Sequence, residues 1–524
     1  MLVTLVAGLH GPKAIAEDAA AGEAAKPEEK FDVYEYRVLN NSVLSELQID
    51  KAVYPFLGPH RSFADVQAAR SALEKTYRDA GYSTVFVDVP EQSVDSGIVR
   101  LKVTEGRLGR LRVTGARYFP AREILKETAS LVPGSVPHFP DVQRDLTQVN
   151  SATRDRNVTP VLRSGQKPGT VDLELKVHDE LPVHGGVEVN DRYTADTTRT
   201  RVNVNLSYDN LWRKFHSLSL QYQTAPEQPA DARVIAATYV MPLAERGAVF
   251  AVYAVDTNSD VATVGTLSVL GRGRIYGARY IQRIGNSPAF YQNITFGGDF
   301  KDFKEDVRLT ADVGLRTPIQ YANWSLAYGA TARGERTLTS FNLGVNFGIR
   351  GLGNDPQEFD DKRLFARPNY FYLRADGQHE RALPLGARLA LKIAGQYTTE
   401  PLISNEQFAI GGVESVRGYL ESEELGDYGV SASAELRTPS VKLWSERVTQ
   451  LYGYAFFDAG VVGSIVQPEL RQPSRADLSS WGLGFRFVGF GGLQAAMDWA
   501  YPLVSGSHTA ARDSRLDLRM RYDF

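Results

Sequence analysis

The sequence contains no cysteine, so disulfide scaffolds and thiolate metal sites are excluded, while the compartment is left open. No window approaches the roughly eighteen unbroken apolar residues of a membrane helix. A charge of one sign is also missing: 59 basic residues stand against 62 acidic ones, and a net charge of -3 offers no footprint for nucleic acid. The 8 histidines show no HExxH spacing and no GxSxG elbow appears. Gly271–Gly277, "GRGRIYG", lacks the P-loop lysine and a strand-to-helix context. The chain is therefore read as a non-enzyme without cofactor or metal. What is plentiful is 46 Gly, 25 Tyr and 24 Phe, so any membrane crossing must be made by strands.

The apolar run Leu2–Leu9 and the small-residue pattern Ala14-Ile15-Ala16 predict a signal peptide over 1–16, although the usual basic start is missing. Residues 17–30, acidic and alanine-rich, read as a flexible linker.

From Phe31 to Asp179 one pattern occurs twice, and the expected units are 31–105 and 106–179. Each reads strand, two helices, two strands. In "SFADVQAARSALEKTYRDAG", Val66, Ala69, Leu73 and Tyr77 share a helical face and Gly81 ends the run. Two helices on three strands bury a small core if the last strand pairs between the other two, which leaves the middle strand at an edge. Those edges, Tyr82 to Val89 (Tyr82, Val85, Val87, Val89) and Thr159 to Arg163 (Thr159, Val161), are candidates to accept an extended guest strand. A purely structural α+β repeat would read the same.

After Pro182 helical spacing vanishes. Segments of about ten residues alternate apolar with polar, and sixteen such strands are expected over 180–524, near Val183, Thr200, His216, Arg233, Ala248, Arg274, Phe290, Tyr321, Ser340, Asn369, Ala387, Tyr428, Gln450, Ser480, Gly492 and Arg515. About 21 residues per strand and connection suits a closed transmembrane barrel better than a soluble sandwich. The last segment carries Leu516, Leu518, Met520, Tyr522 and Phe524 on one face and Asp517, Arg519, Arg521 and Asp523 on the other, as a lipid wall and a watery lumen require.

The stretch "GGVESVRGYLESEELGDYG", 411–429, falls between the eleventh and twelfth strands, on the side of the longer loops. On the twelfth strand Glu435 shares parity with Ser431, Ser433 and Arg437 and is lumen-facing. On the thirteenth, Asp458 shares parity with Tyr452, Tyr454 and Phe456, so either aromatics line the lumen there or a bulge shifts the register. If the loop folds inward, Arg417 can pair with Asp458 or Glu435, Gly418 permits close approach to the wall and Tyr419 packs beside it. Glu423 and Glu424 are read as a solvated loop face.

Two β-α-α-β-β repeats followed by a sixteen-strand barrel with "VRGY" (Val416, Arg417, Gly418, Tyr419), "ELRTP" (Glu435 to Pro439) and "FFDAG" (Phe456 to Gly460) resemble the two-partner secretion transporters, or haemolysin activators, within the POTRA-barrel translocase superfamily. The resemblance covers residues 31–524. It implies two periplasmic POTRA domains and a loop arginine that reaches Asp458, with Phe457 and Gly460 as further motif residues. It also implies a secreted exoprotein client, unfolded in the periplasm and threaded through a monomeric barrel in the outer membrane, and dependence on the barrel assembly machinery and periplasmic chaperones for biogenesis. An assembly insertase and a passive uptake porin are the alternatives; the first usually carries more repeats and the second needs none. Family members commonly carry an N-terminal plug helix with a linker, for which residues 17–30 are too few.

Overall fold

The computed structural model describes residues 30–195, 197–243, 247–259, 261–264, 267–285, 287, 289–310, 313–441, 448–465 and 475–524. The segments read as signal peptide and linker lie outside the described residues, apart from Lys30. The chain divides after Glu180 into two compact units.

The N-terminal unit holds the two repeats. The first contains strand Glu35–Leu39, helices Glu46–Val53 and Phe63–Asp79, and strands Val85–Asp88 and Ile98–Glu105; a short pair, Phe31–Val33 with Gly58–Arg61, is added. Its last strand runs parallel to the first (Glu35 opposite Ile98) and antiparallel to the middle one (Val85 opposite Glu105). The second repeat has strand Arg107–Thr114, helices Ala121–Glu127 and Phe139–Ser151, and strands Arg156–Ser164 and Thr170–Asp179, paired the same way. In both sheets the middle strand is therefore the edge.

Local chemistry sets these elements. Ser62 and Asp65 form a reciprocal capping box, with Ser62 N donating to Asp65 Oδ2 at 2.8 Å, and so start helix Phe63–Asp79. The predicted face, Val66, Ala69, Leu73 and Tyr77, is buried against Val85, Val87, Val99, Leu101 and Val103. Each buried valine or leucine contributes about 1.5–3 kcal/mol on leaving water. Gly81 follows at φ +90°, and an added Cβ there would lie 2.7 Å from His138 and Pro140 of the second repeat.

The second unit is a closed antiparallel barrel of sixteen strands. The first, Val183–Asn190, pairs with the last, Arg515–Asp523, from Asn190 opposite Arg519 to Gly186 opposite Asp523. Observed and expected strands correspond in order. The largest offsets are at the eighth and fourteenth, which begin at Val313 and Arg475 rather than near Tyr321 and Ser480. The seventh and eighth strands run 21 residues each, beyond the roughly 10 that cross a bilayer, and outside the lipid no dry face is needed to enforce alternation. Leu516, Leu518, Met520, Tyr522 and Phe524 point outward and exposed, whereas Asp517 is buried and bonded to Arg515.

Short turns such as 334–336 and 490–492 join strands at one end; long connections such as 349–370 and 398–427 join them at the other. The long end is the outer face of a bacterial barrel. Connection 349–370 carries helix Pro356–Lys362, whose Phe359 packs on Tyr321 and Tyr370.

Candidate functional site: a loop tied inside the barrel

Connection 398–427 does not extend away from the barrel. A small hairpin, Phe408–Ile410 with Glu424–Gly426, pins its root, and the segment between them enters the lumen. Val416, Arg417 and Tyr419 are all nearly inaccessible to solvent. Arg417 meets three wall residues. Its Nε and Nη2 donate to Asp458 Oδ2 and Oδ1 at 2.7 and 2.8 Å, Nη1 donates to Glu435 Oε1 at 2.6 Å, and Nη2 also reaches Ser433 Oγ at 3.0 Å. The Arg417 amide donates to the same Asp458 Oδ2 at 3.1 Å, so the loop backbone is fixed together with the side chain. Because arginine stays protonated, this is a permanent cation in a partly dehydrated site, and the paired carboxylates are what make its burial tolerable.

The flanking motif residues are explained by contact. Gly418 sits at φ +90°, and a Cβ there would come within 3.0 Å of Ala500 Cβ. Tyr419 places its hydroxyl 2.9 Å from the Ser479 carbonyl and 2.7 Å from that of Val504, which anchors the loop to the fourteenth strand and the last long connection. Val416 packs over Gly460, where an added Cβ would lie 3.1 Å from Val416 Cγ2. At the loop's tip Glu414 accepts from Arg192 at 2.7 Å and from Lys392 at 3.1 Å.

The thirteenth strand, Val448–Gly463, is regular from Gln450 onward, its one shift lying between Val448 and Gln450. Aromatics therefore do line the lumen: Tyr454 and Phe456 are buried on the Asp458 face. The Arg417 guanidinium carbon lies 3.6 Å from the Phe456 ring centre. This corrects the assignment of Phe457 as the motif aromatic. Phe457 has the opposite parity, points outward and is 50% exposed.

The reading of Glu423 and Glu424 as a solvated face is also corrected. Glu423 is buried and accepts from the amides of Leu420, His508 and Thr509, while Glu424 accepts from Ser507. The pair ties the loop's root to the connection between the last two strands.

Several members of the site were not singled out from sequence. Asp498 stands 4.0 Å from Arg417 Nη1 and is held by Arg486 at 2.9 and 3.1 Å. Arg437 bridges Glu435 and Glu380, each at 2.9 Å. Asp427, fully buried at the end of the loop, accepts from Arg363 Nη2 at 2.8 Å, from the Leu402 amide at 2.9 Å, from the Ile465 amide at 2.7 Å and from Gln407 at 3.2 Å. It thereby gathers three long connections at one carboxylate. Apart from Glu435 and Arg437, which are neighbours on one face of one strand, these partners lie on different strands or connections, which single-strand parity cannot pair.

In the N-terminal unit, Val85 and Val87 lie on the predicted edge strand but send their side chains into the core; Tyr82 and Val89 pack partly against the same core. What that strand presents is its backbone edge and Phe86, which is 58% exposed. On the second edge Thr159 is exposed and Val161 half-buried, with Pro160 between them interrupting the row of N–H donors.

Comparison with known proteins places this arrangement. The family described as haemolysin secretion/activation protein ShlB/FhaC/HecB matches residues 169–487, and the POTRA domain of ShlB type matches 31–106. The outer membrane transporter CdiB of Escherichia coli is 24% identical over 428 residues, covering 76% of this chain and 67% of that protein. The heme/hemopexin transporter protein HuxB of Haemophilus influenzae is 20% identical over 449 residues, covering 83% and 76%. The solved structure of CdiB from Escherichia coli superposes with a TM-score of 0.61 at 20% identity, over 97% of this chain and 93% of that one. BamA from Haemophilus ducreyi lacking POTRA domains 1–3 reaches 0.60 at 14% identity, over 94% and 100%, so the fold is shared with that protein as well. The chain belongs to the haemolysin secretion/activation family ShlB/FhaC/HecB: it is an outer-membrane, two-partner secretion transporter with its POTRA region in the periplasm.

Proposed function

We propose that export of the partner exoprotein is controlled by the loop 411–429, with Arg417 as its latch on Asp458 and Glu435. The carrying observation is the threefold engagement of Arg417, by Asp458, Glu435 and Ser433, inside a lumen that the loop obstructs. The client arrives unfolded and adds a strand to a repeat edge, where main-chain hydrogen bonds supply affinity. Strand Val85–Asp88 is the better acceptor, because no proline interrupts it and exposed Phe86 stands beside it, although the Val87 carbonyl already accepts from Arg70 at 3.3 Å, whereas Pro160 breaks the other. The loop then yields and the chain threads past a wall on which aromatics such as Tyr454 and Phe456 stand among charged side chains. Folding outside the cell prevents return and supplies direction.

The protein works as a monomer, since the barrel closes on itself and encloses its own path. Its biogenesis uses periplasmic chaperones and the barrel assembly machinery, for which the outward aromatic Phe524 is the recognition feature.

The test is a secretion assay in a host that produces this protein with large exported β-rich proteins encoded beside its gene. The control omits residues 31–179. Release of one such protein only with the intact chain establishes export and names the client. An inserted barrel with candidates accumulating in the periplasm would reject those clients and favour the insertase reading.

A further inference from the structure

The outer face of the barrel carries a feature that polypeptide export does not use. Across strands nine to thirteen, Phe341, Gly377, Ile393, Ala432 and Ala459 stand in one outward row, and Thr339, His379, Leu391, Ala434 and Phe457 in the next. Small residues, Gly377 in the first row and Ala432 and Ala434 on the twelfth strand, leave gaps between bulkier neighbours. On the tenth strand Gly377 forms the floor of a slot between Phe341 and Ile393; a Cβ there would meet Ile393 Cγ2 at 3.6 Å and Phe341 Cδ2 at 3.9 Å. On the twelfth strand Ala432 and Ala434 form the floor of a second slot, between the ridge of Leu391 and Ile393 and the exposed ring of Phe457. The result is a single open groove of about 520 Å³, lined almost wholly by apolar atoms and split by one ridge.

One end of the groove is polar. His379 Nδ1 and Thr339 Oγ1 lie 2.8 Å apart on this outward face, in the register of strands nine and ten. Two residues further along the same column is Arg381, exposed and with no ion pair among the described residues. With a rise of about 3.3 Å per residue, Arg381 stands roughly 13 Å from Gly377. It lies beside the short connection 383–387, at the periplasmic end of the wall. An unpaired guanidinium is costly in hydrocarbon and is matched at the headgroup level by phosphate.

We propose that this groove binds one diacyl anionic phospholipid of the periplasmic leaflet, an acyl chain in each slot and the phosphate on Arg381 and His379. Two parallel slots of one-chain width suit a diacyl lipid, and the single basic end fixes which way it lies. The groove backs directly onto the latch: Ala434 precedes Glu435, and Phe457 and Ala459 flank Asp458.

The experiment is native mass spectrometry of the full chain released from mild detergent after incubation with dioleoyl phosphatidylglycerol. The wild type is expected to retain one lipid, and to retain the single-chain lyso form less. Arg381→Ala is expected to retain it about fivefold less, the equivalent of roughly 1 kcal/mol for one basic residue at the surface. Gly377→Phe with Ala434→Phe fills both slots and is expected to abolish retention, while heat-modifiable migration shows that the barrel is folded. Should that pair prevent folding, Ala434→Leu alone narrows one slot and is expected to favour the lyso lipid over the diacyl one. Equal retention by the wild type and a folded slot-filled variant overturns the proposal, as does equal retention of diacyl and lyso lipid by the wild type.

Discussion

Arg417 and Asp458 meet side-on: Nε and Nη2 each donate to a separate carboxylate oxygen, at 2.7 and 2.8 Å. Such a fork has one geometry, so it specifies where the loop sits more than it adds to stability. Arg417→Lys keeps the charge and loses the fork. Secretion is expected to fall at least severalfold in both Arg417→Lys and Arg417→Ala while the barrel still inserts, with secreted client measured against heat-modifiable barrel in the same cells. Normal export by Arg417→Ala would remove the latch from the mechanism.

Asp427 is the second fastening. Leaving Arg363 without its carboxylate frees connection 349–370 from the root of the lumen loop, at a cost of about 3–5 kcal/mol for one partner of a buried pair. Asp427→Asn is expected to raise single-channel conductance in planar bilayers and sensitivity to large antibiotics. Unchanged conductance in a correctly inserted variant would mean that the two connections move independently.

The neighbouring aromatics on strand thirteen separate by parity. Phe456→Leu removes the ring beneath the guanidinium, worth about 0.5–2 kcal/mol, and is expected to loosen the loop and lower secretion. Phe457→Leu exchanges one lipid-facing apolar side chain for another and is expected to leave secretion unchanged. Limited proteolysis of the loop in purified protein reports the difference; equal protection in both variants speaks against the stacking role.

At the first repeat's edge, Phe86→Glu alters an exposed side chain without entering the core. It is expected to weaken client association about tenfold, as a charge replaces an aromatic anchor. Thr159→Glu, also at an exposed side chain, is expected to matter little, since Pro160 already breaks that edge. The measurement is binding of a client's N-terminal segment to the full chain in detergent. Equal loss in the two variants would assign capture to both edges.

Sequence pattern reached far here because the barrel and the repeats are periodic. Strand parity identified Glu435 as lumen-facing, and helical spacing placed Val66, Ala69, Leu73 and Tyr77 on the buried face, since each follows from local geometry. Parity left Asp458 ambiguous because an aromatic lumen face breaks the rule that the wet side is polar. It was silent on Asp427, whose partners come from residues 363, 402, 407 and 465. The acidic run at Glu423 and Glu424 looked solvated, because nothing in a linear reading shows that residues 507–509 close over it.

Glu435 keeps Arg437 and Asp498 keeps Arg486 whatever the loop does, but Asp458 has no cation of its own besides Arg417 among the described ion pairs. Withdrawal of the loop therefore strips a single carboxylate on the lumen wall of its counter-ion. On the proposed gating, that vacancy would favour a lysine or arginine of the passing chain, a foothold the transporter's own arginine must reclaim when the loop returns.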